Sequence, residues 1–194
     1  YSNSQIASNV EDGHFTTTSA VEDGFFGEYF KDIKFFNQSY IDETIIGGEL
    51  TKDDEIRIFK NREEINLVTV NKGKLPTEID EIAVDGLYAK TNKVKLNDII
   101  KTNKREYKVV GFISMPDYAV IFKSASSLSF QHYTFCPTVV SDILFDSFNL
   151  KDLIHCYSYK FNETYNENII ELEDKTDGGM TMFDIFEDYE KRGE

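Results

Sequence analysis

Tryptophan is absent from this chain, proline occurs three times, cysteine twice and histidine three times. Each scarcity removes a class of chemistry. The histidines His14, His132 and His155 form no HExxH pattern and no pair at ligand spacing on an expected helix, which excludes a zinc-protease motif. The cysteines Cys136 and Cys156 make neither a CxxC nor a metal-ligand pattern. A bridge between them is geometrically open, and two buried thiols are the alternative. Positive charge is also scarce: 21 Lys and Arg stand against 35 Asp and Glu, a formal charge of −14. Such a surface repels phosphate backbones and anionic lipid headgroups, which argues against nucleic acid as a partner, and plain solubility is the simplest role for the charge.

Long apolar runs are missing as well. No stretch approaches the ~20 apolar residues of a membrane-spanning helix, and no basic segment followed by an apolar one opens the chain. A segment lying between the spans of a longer membrane protein has the same two absences. Phosphate-cradling glycine patterns are lacking too, so Gly47-Gly48 and Gly178-Gly179 read as turns. Asp53-Asp54-Glu55 and Glu171-Leu172-Glu173-Asp174 lack the spacing that folds oxygen ligands around calcium and read as solvated charge. His155 beside Cys156 suggests a catalytic pair only on paper, because neighbours on a strand face opposite ways. No catalytic, cofactor-binding or metal-ligating residue is expected, and the chain reads as no enzyme. Asn37-Gln38-Ser39 and Asn162-Glu163-Thr164 match a glycosylation acceptor, which matters only in a eukaryotic secretory setting.

What the chain has is aromatic and aliphatic material. Sixteen Phe, 11 Tyr and an apolar share of 40% supply the core of one domain, or of two small subdomains. Phe25-Phe26 and Phe35-Phe36 are adjacent pairs, and on a strand both members cannot face one core. One of each is a candidate partner contact, with packing between layers as the alternative. Helical spacing of Val21, Phe25, Phe26, Tyr29 and Phe30 after Thr16-Thr17-Thr18-Ser19 predicts a helix over Ala20–Lys31, weakened by Gly24 and Gly27. Strands are expected over Lys34–Ile46, Glu55–Lys60 and Ile65–Val70. Gly73-Lys74-Leu75-Pro76 is a turn, Glu81–Val84 a strand, and Leu87–Asn92 a short helix with Asp85 as its cap. Turns at Asn97-Asp98 and Asn103-Lys104 frame a hairpin that returns through Tyr107–Met115. A helical face over Thr138–Phe148, a strand over Asp152–Phe161 and an amphipathic segment Met180–Arg192, with Met182, Ile185, Phe186 and Tyr189 as its stripe, complete the pass. The order of elements is α+β.

Several of these segments carry a family resemblance. Val10-Glu11-Asp12-Gly13-His14-Phe15, Ile58-Phe59-Lys60-Asn61-Arg62, Ile65-Asn66, Lys72-Gly73-Lys74-Leu75-Pro76, Glu81-Ile82-Ala83-Val84-Asp85 with Leu87-Tyr88-Ala89, Lys95-Leu96-Asn97-Asp98-Ile99, and Tyr107-Lys108-Val109-Val110-Gly111 with Pro116-Asp117-Tyr118 together resemble the extracytoplasmic domain of FtsX-like ABC transporter permeases, also called the MacB-like periplasmic core domain. Asn97 stands where that family's turn usually has Gly, and Asn tolerates the left-handed conformation next best. The resemblance implies a porter-like α+β subdomain built from residues 1–70 and 132–194, with a β-rich inserted subdomain over 71–131. It also implies a role in coupling cytoplasmic ATP hydrolysis to export, or to control of a partner outside the membrane, with no cofactor. The implied partners are a cytoplasmic ATP-binding subunit, a second permease copy or homologue, and an extracellular substrate or protein. The implied location is the extracytoplasmic face of the cell membrane. A free-standing secreted or surface binding module, and an enzyme with a dispersed site, remain the alternatives.

Overall fold

The computed structural model describes residues 9–22, 24–30, 33–46, 54–118 and 134–161. Its strands are β1 (Gly13–Thr17), β2 (Ile33–Asn37), β3 (Tyr40–Thr44), β4 (Glu55–Lys60), β5 (Thr69–Gly73), β6 (Glu81–Asp85), β7 (Ile99–Lys101), β8 (Glu106–Ser114), β9 (Phe135–Val140) and β10 (His155–Phe161). Among the described residues three short α-helices accompany them, α1 (Phe25–Tyr29), α2 (Gly86–Thr91) and α3 (Asp142–Phe145), and the fold is α+β. The strands form two sheets: a small antiparallel one in the order β1-β10-β2, and a seven-stranded one in the order β3-β4-β9-β6-β8-β5, with β7 also on β8. The large sheet is mixed, since β4 runs parallel to β9, and β6 parallel to β8, while its other pairs are antiparallel.

Strands covered on both faces explain where periodicity misleads. The helical spacing over Thr138–Phe148 does not produce a helix there. Val139 and Val140 end β9, which is buried along its whole length, and α3 begins only at Asp142. A continuous apolar run of this kind is expected of a sheet-centre strand and mimics a buried helix. The period of two survives in the packing. Cys136 and Val140 join Ile56, Ile58, Ile82 and Val84 in one core cluster, while Val139 joins Phe59, Ala83 and Ile113 in a cluster on the other face. Pro137, which has no N–H to give, precedes the β6 ladder that starts at Thr138.

The single strand expected over Lys34–Ile46 is two strands in two sheets. The Asn37 side chain accepts hydrogen bonds from the Ser39 amide at 2.9 Å and hydroxyl at 2.6 Å. That side-chain turn breaks the chain between β2 and β3. The helix expected over Ala20–Lys31 shrinks to α1, because Gly24 sits at its start with φ +88° and offers no side-chain cap. The strand expected over Ile65–Val70 starts only at Thr69, after Ile65 and Asn66 are buried in a loop.

Between Gly73 and Tyr118 the turns fall where their residues require them. Asp85 caps α2 by accepting from the Leu87 and Tyr88 amides at 2.9 and 2.8 Å. Asn97 takes φ +72°, the left-handed position for which it was the tolerable substitute. Gly73 has φ +78°, and a Cβ on Gly111 would lie 2.2 Å from the Lys74 carbonyl oxygen, so β5 and the strand it joins meet through two glycines. One sheet spans the junction expected near residue 131, since β6 hydrogen-bonds to β9. The Met180–Arg192 segment, Glu171–Asp174, Gly47-Gly48 and Asn162-Glu163-Thr164 lie outside the described residues.

Candidate functional site

The two sheets are continuous at one corner. Gln38 donates its amide to the Cys156 carbonyl at 2.8 Å, and Tyr40 and Ile154 exchange backbone hydrogen bonds at 3.1 and 2.8 Å. A polar joint fastens them a second time. Glu11, just before β1, is nearly buried, and its carboxylate accepts from His14 Nδ1 at 2.5 Å, from Asn66 Nδ2 at 2.7 Å and from the Ser158 hydroxyl. Its backbone N–H donates in turn to Asn66 Oδ1 at 3.0 Å. Asn66 follows the last strand residue of β4 by a short loop, so this exchange ties the small sheet to the large one. Burial alone would raise the Glu11 pKa, but the His14, Ser158 and Asn66 hydrogen bonds and the His14 charge outweigh it and hold the acid below its ordinary range. The hydrogen bond that His14 donates to Glu11 correspondingly raises His14, against partial burial.

Behind this clamp lies a buried ion pair. Arg62 is 3% exposed, its Nη1 donates to Asp117 Oδ1 at 2.6 Å, and its guanidinium lies 4.4 Å from the Phe59 ring centroid. Arg57 holds Asp42 in a two-pronged pair at 2.9 and 2.8 Å and reaches the Tyr118 hydroxyl at 3.3 Å. Burial pushes Tyr118 up to about 12, against the pull of Arg57. The turn Pro116-Asp117-Tyr118 is therefore pinned to β4 and its following loop by two guanidinium groups.

In front of the joint, between the small sheet and the α3 edge of the large one, the surface opens into a groove of about 590 Å³. Phe36 and His155 line it from the small sheet, and Phe59, Arg62, Phe145 and Leu150 from the other side. Asp142, Asp146, Glu63 and Glu64 supply carboxylates to the same groove, and Lys60 sits between the first two at 3.7 and 3.2 Å.

The four phenylalanines singled out in the sequence fall in two places. Phe26 is buried and stacks on Phe35 at 4.3 Å, Phe25 meets Phe26 edge-on at 5.7 Å, and all three pack with Val21, Phe15 and Tyr157 on one face of the small sheet. Phe36, one residue on, faces the groove. His155 likewise lines the groove while Cys156 is buried in the core, so the pair is separated as strand alternation requires. Both cysteines are free thiols, in separate core clusters. Burial raises Cys136 well above its ordinary value and pushes Cys156 up to about 11, which makes both poor nucleophiles. Sequence reasoning did not single out the groove's acidic rim or the exposed Ile143 and Leu150 beside it. The available signal was an apolar residue set among aspartates on a short helix, where a buried face was assumed.

No protein-family model matches this chain, and no curated protein does. Solved structures do. The chain is similar to the periplasmic region of MacB from Actinobacillus actinomycetemcomitans, with 14% identity, a TM-score of 0.43, and coverage of 82% of this chain and 78% of that one. It is similar also to the extracellular domain of the noncanonic ABC-type transporter YknZ from Gram-positive bacteria, with 14% identity, a TM-score of 0.45, and coverage of 86% and 83%. Among the described residues no helix is long and apolar enough to cross a membrane.

Proposed function

We propose that this chain is the extracytoplasmic domain of an ABC transporter permease subunit, non-catalytic itself, that passes motion from membrane spans to a surface outside the membrane. One observation carries the reading: the separated segments that bear the family resemblance meet in space. Glu11 from the first segment holds Asn66 from the third, and Arg62 from the second holds Asp117 from the last. Residues that are far apart in the chain and close in one joint are read here as the mechanical core of the domain. The small sheet is the side through which motion would enter. Asp12 donates its amide to the Tyr159 carbonyl at 3.0 Å and accepts from the Phe161 amide at 2.9 Å, so the chain enters and leaves that sheet side by side, as two neighbouring spans would hold it. The partners on this reading are a cytoplasmic ATP-binding subunit and a second permease copy. The action is a rigid-body or hinge displacement, with no bond chemistry.

The test uses the full-length gene product in its own membrane. Both cysteines of this chain are buried, so labelling gained on introducing an exposed reporter, Lys151→Cys, over that of the unchanged protein reports on this domain. A membrane-impermeant maleimide should label it in intact cells, and an ATP-binding subunit should co-purify with the protein. Labelling that appears only after the membrane is permeabilised would place the domain on the wrong side and sink the proposal.

A further inference from the structure

We propose that the groove between the two sheets is a docking site for a basic peptide segment studded with apolar side chains. This goes beyond the permease reading and stands independently of it. Its floor is apolar and aromatic, with Phe36, Phe59, Phe145 and Leu153 among its lining, and its volume of about 590 Å³ is that of a site filled by a few side chains. One aliphatic side chain in its lining is unusually bare, Leu150 at 75% exposure. An occupant that covered it would remove apolar surface from water.

Charge selects among the occupants an apolar groove could take. Glu63 and Glu64 are exposed and have no cationic partner among the described residues, and Asp142 and Asp146 share the single Lys60. Arg62 adds nothing, because Asp117 neutralises it. The rim thus carries three uncompensated negative charges, four carboxylates against one lysine, around an apolar floor. A second copy of this chain, itself at −14, is repelled, as is an anionic lipid surface. A segment with Lys or Arg flanking Leu or Phe is attracted.

The measurement is fluorescence-anisotropy binding of a labelled peptide alternating Lys with Leu, in parallel with the same peptide carrying Glu in place of Lys. The Lys peptide should bind and the Glu peptide should not, and the affinity should fall as salt rises. Removing the rim charges in Glu63→Gln/Glu64→Gln should weaken binding about threefold to tenfold, and Leu150→Ser should weaken it by a similar factor. Both changes are at exposed positions, and unaltered thermal melts check that the fold is kept. Glu106→Gln, in the β7–β8 hairpin and outside the groove's lining, is the control and should leave binding unchanged. Equal weakening by Glu106→Gln would reduce the effect to net charge and overturn the proposal, as would failure of the Lys peptide to bind. Self-association in sedimentation that Leu150→Ser abolishes would assign the groove to a second copy instead.

Discussion

Removing the Asp117 carboxylate should unfasten the joint, and the size of the effect can be worked out from its surroundings. Arg62 is 3% exposed and Asp117 10%, so the pair sits where water cannot replace a lost partner. Asp117→Asn keeps the shape of the side chain and an acceptor oxygen but leaves Arg62 as a buried cation without its countercharge, beside the Phe59 ring at 4.4 Å. Breaking a buried pair by deleting one member costs about 3–5 kcal/mol, most of it the burden of the orphaned charge. With a urea slope of about 2 kcal/mol/M, the midpoint should fall by roughly 1.5–2.5 M. The double variant Arg62→Met/Asp117→Asn removes both charges and should recover most of that loss, because a buried pair replaced by well-packed groups is often near neutral. The assay is urea unfolding followed by circular dichroism for the parent, both single variants and the double. A loss below about 1 kcal/mol for Asp117→Asn would show that the pair is solvated in solution. Additive losses in the double variant would refute the claim that the orphaned charge is the cause.

Three further outcomes follow from the same structure. Stability should vary with pH through Glu11 and His14, each with its own sign. His14 is raised, so its contribution is complete below its ordinary 6.5 and is lost as pH climbs through the higher folded value. Glu11 is lowered, so its contribution is present above its ordinary 4.5 and fades as pH drops through the lower folded value; the clamp is strongest between 4.5 and 6.5, and His14→Asn should abolish the alkaline arm of urea midpoint against pH and shrink the acid arm, because His14 supplies part of what lowers Glu11 while Ser158 and Asn66 supply the rest. Gly73→Ala meets both a φ of +78° and a Val110 carbonyl oxygen 2.2 Å from its Cβ, and should cost about 1–3 kcal/mol in urea unfolding, with a neutral result disproving the close approach of β5 to β8. The two cysteines should resist a thiol reagent in the native protein and react together at a stoichiometry of two in denaturant, whereas fewer than two free thiols would reveal a disulfide.

The parts of the fold legible in the sequence are those fixed by local backbone chemistry. Asp85 can cap only the turn that follows it, Asn97 tolerates a left-handed φ that few residues do, and Gly111 lies where a side chain would meet the Lys74 carbonyl. The β4 strand was legible because Glu55–Lys60 is strand from end to end. What stayed hidden depends on contacts between distant segments. No local pattern tells β9 that β4 and β6 will flank both of its edges and that core clusters will cover both of its faces, so its apolar run looked helical. Phe36 and Phe35 are indistinguishable in the sequence, and only the small sheet's placement assigns one to the aromatic cluster and the other to the groove. Even the joint was visible only as family-like segments. That Glu11 would find Asn66 across 55 positions of chain is a tertiary fact.

The joint and the groove share Arg62, and this ties the two proposals to one measurable coupling. Arg62 lines the groove with one edge and pairs with Asp117 on the other, while the groove walls come from both sheets that the joint holds together. A peptide that touches both walls favours the arrangement in which they face each other. By linkage, whatever loosens the joint must then weaken the peptide, and the peptide must in turn stabilise a loosened joint. Glu11→Gln is the appropriate perturbation, because Glu11 fastens the sheets but does not line the groove, so the rim charges are unchanged. The expected result is weaker binding of the Lys peptide by about threefold to tenfold, since the peptide now has to order what the clamp held before. Saturating peptide should raise the urea midpoint of Glu11→Gln less than that of the parent, because the weaker affinity stabilises less at the same peptide concentration. An unchanged affinity would mean that the groove walls keep their places without the clamp. In that case a segment bound in the proposed groove would be uncoupled from the hinge displacement we propose.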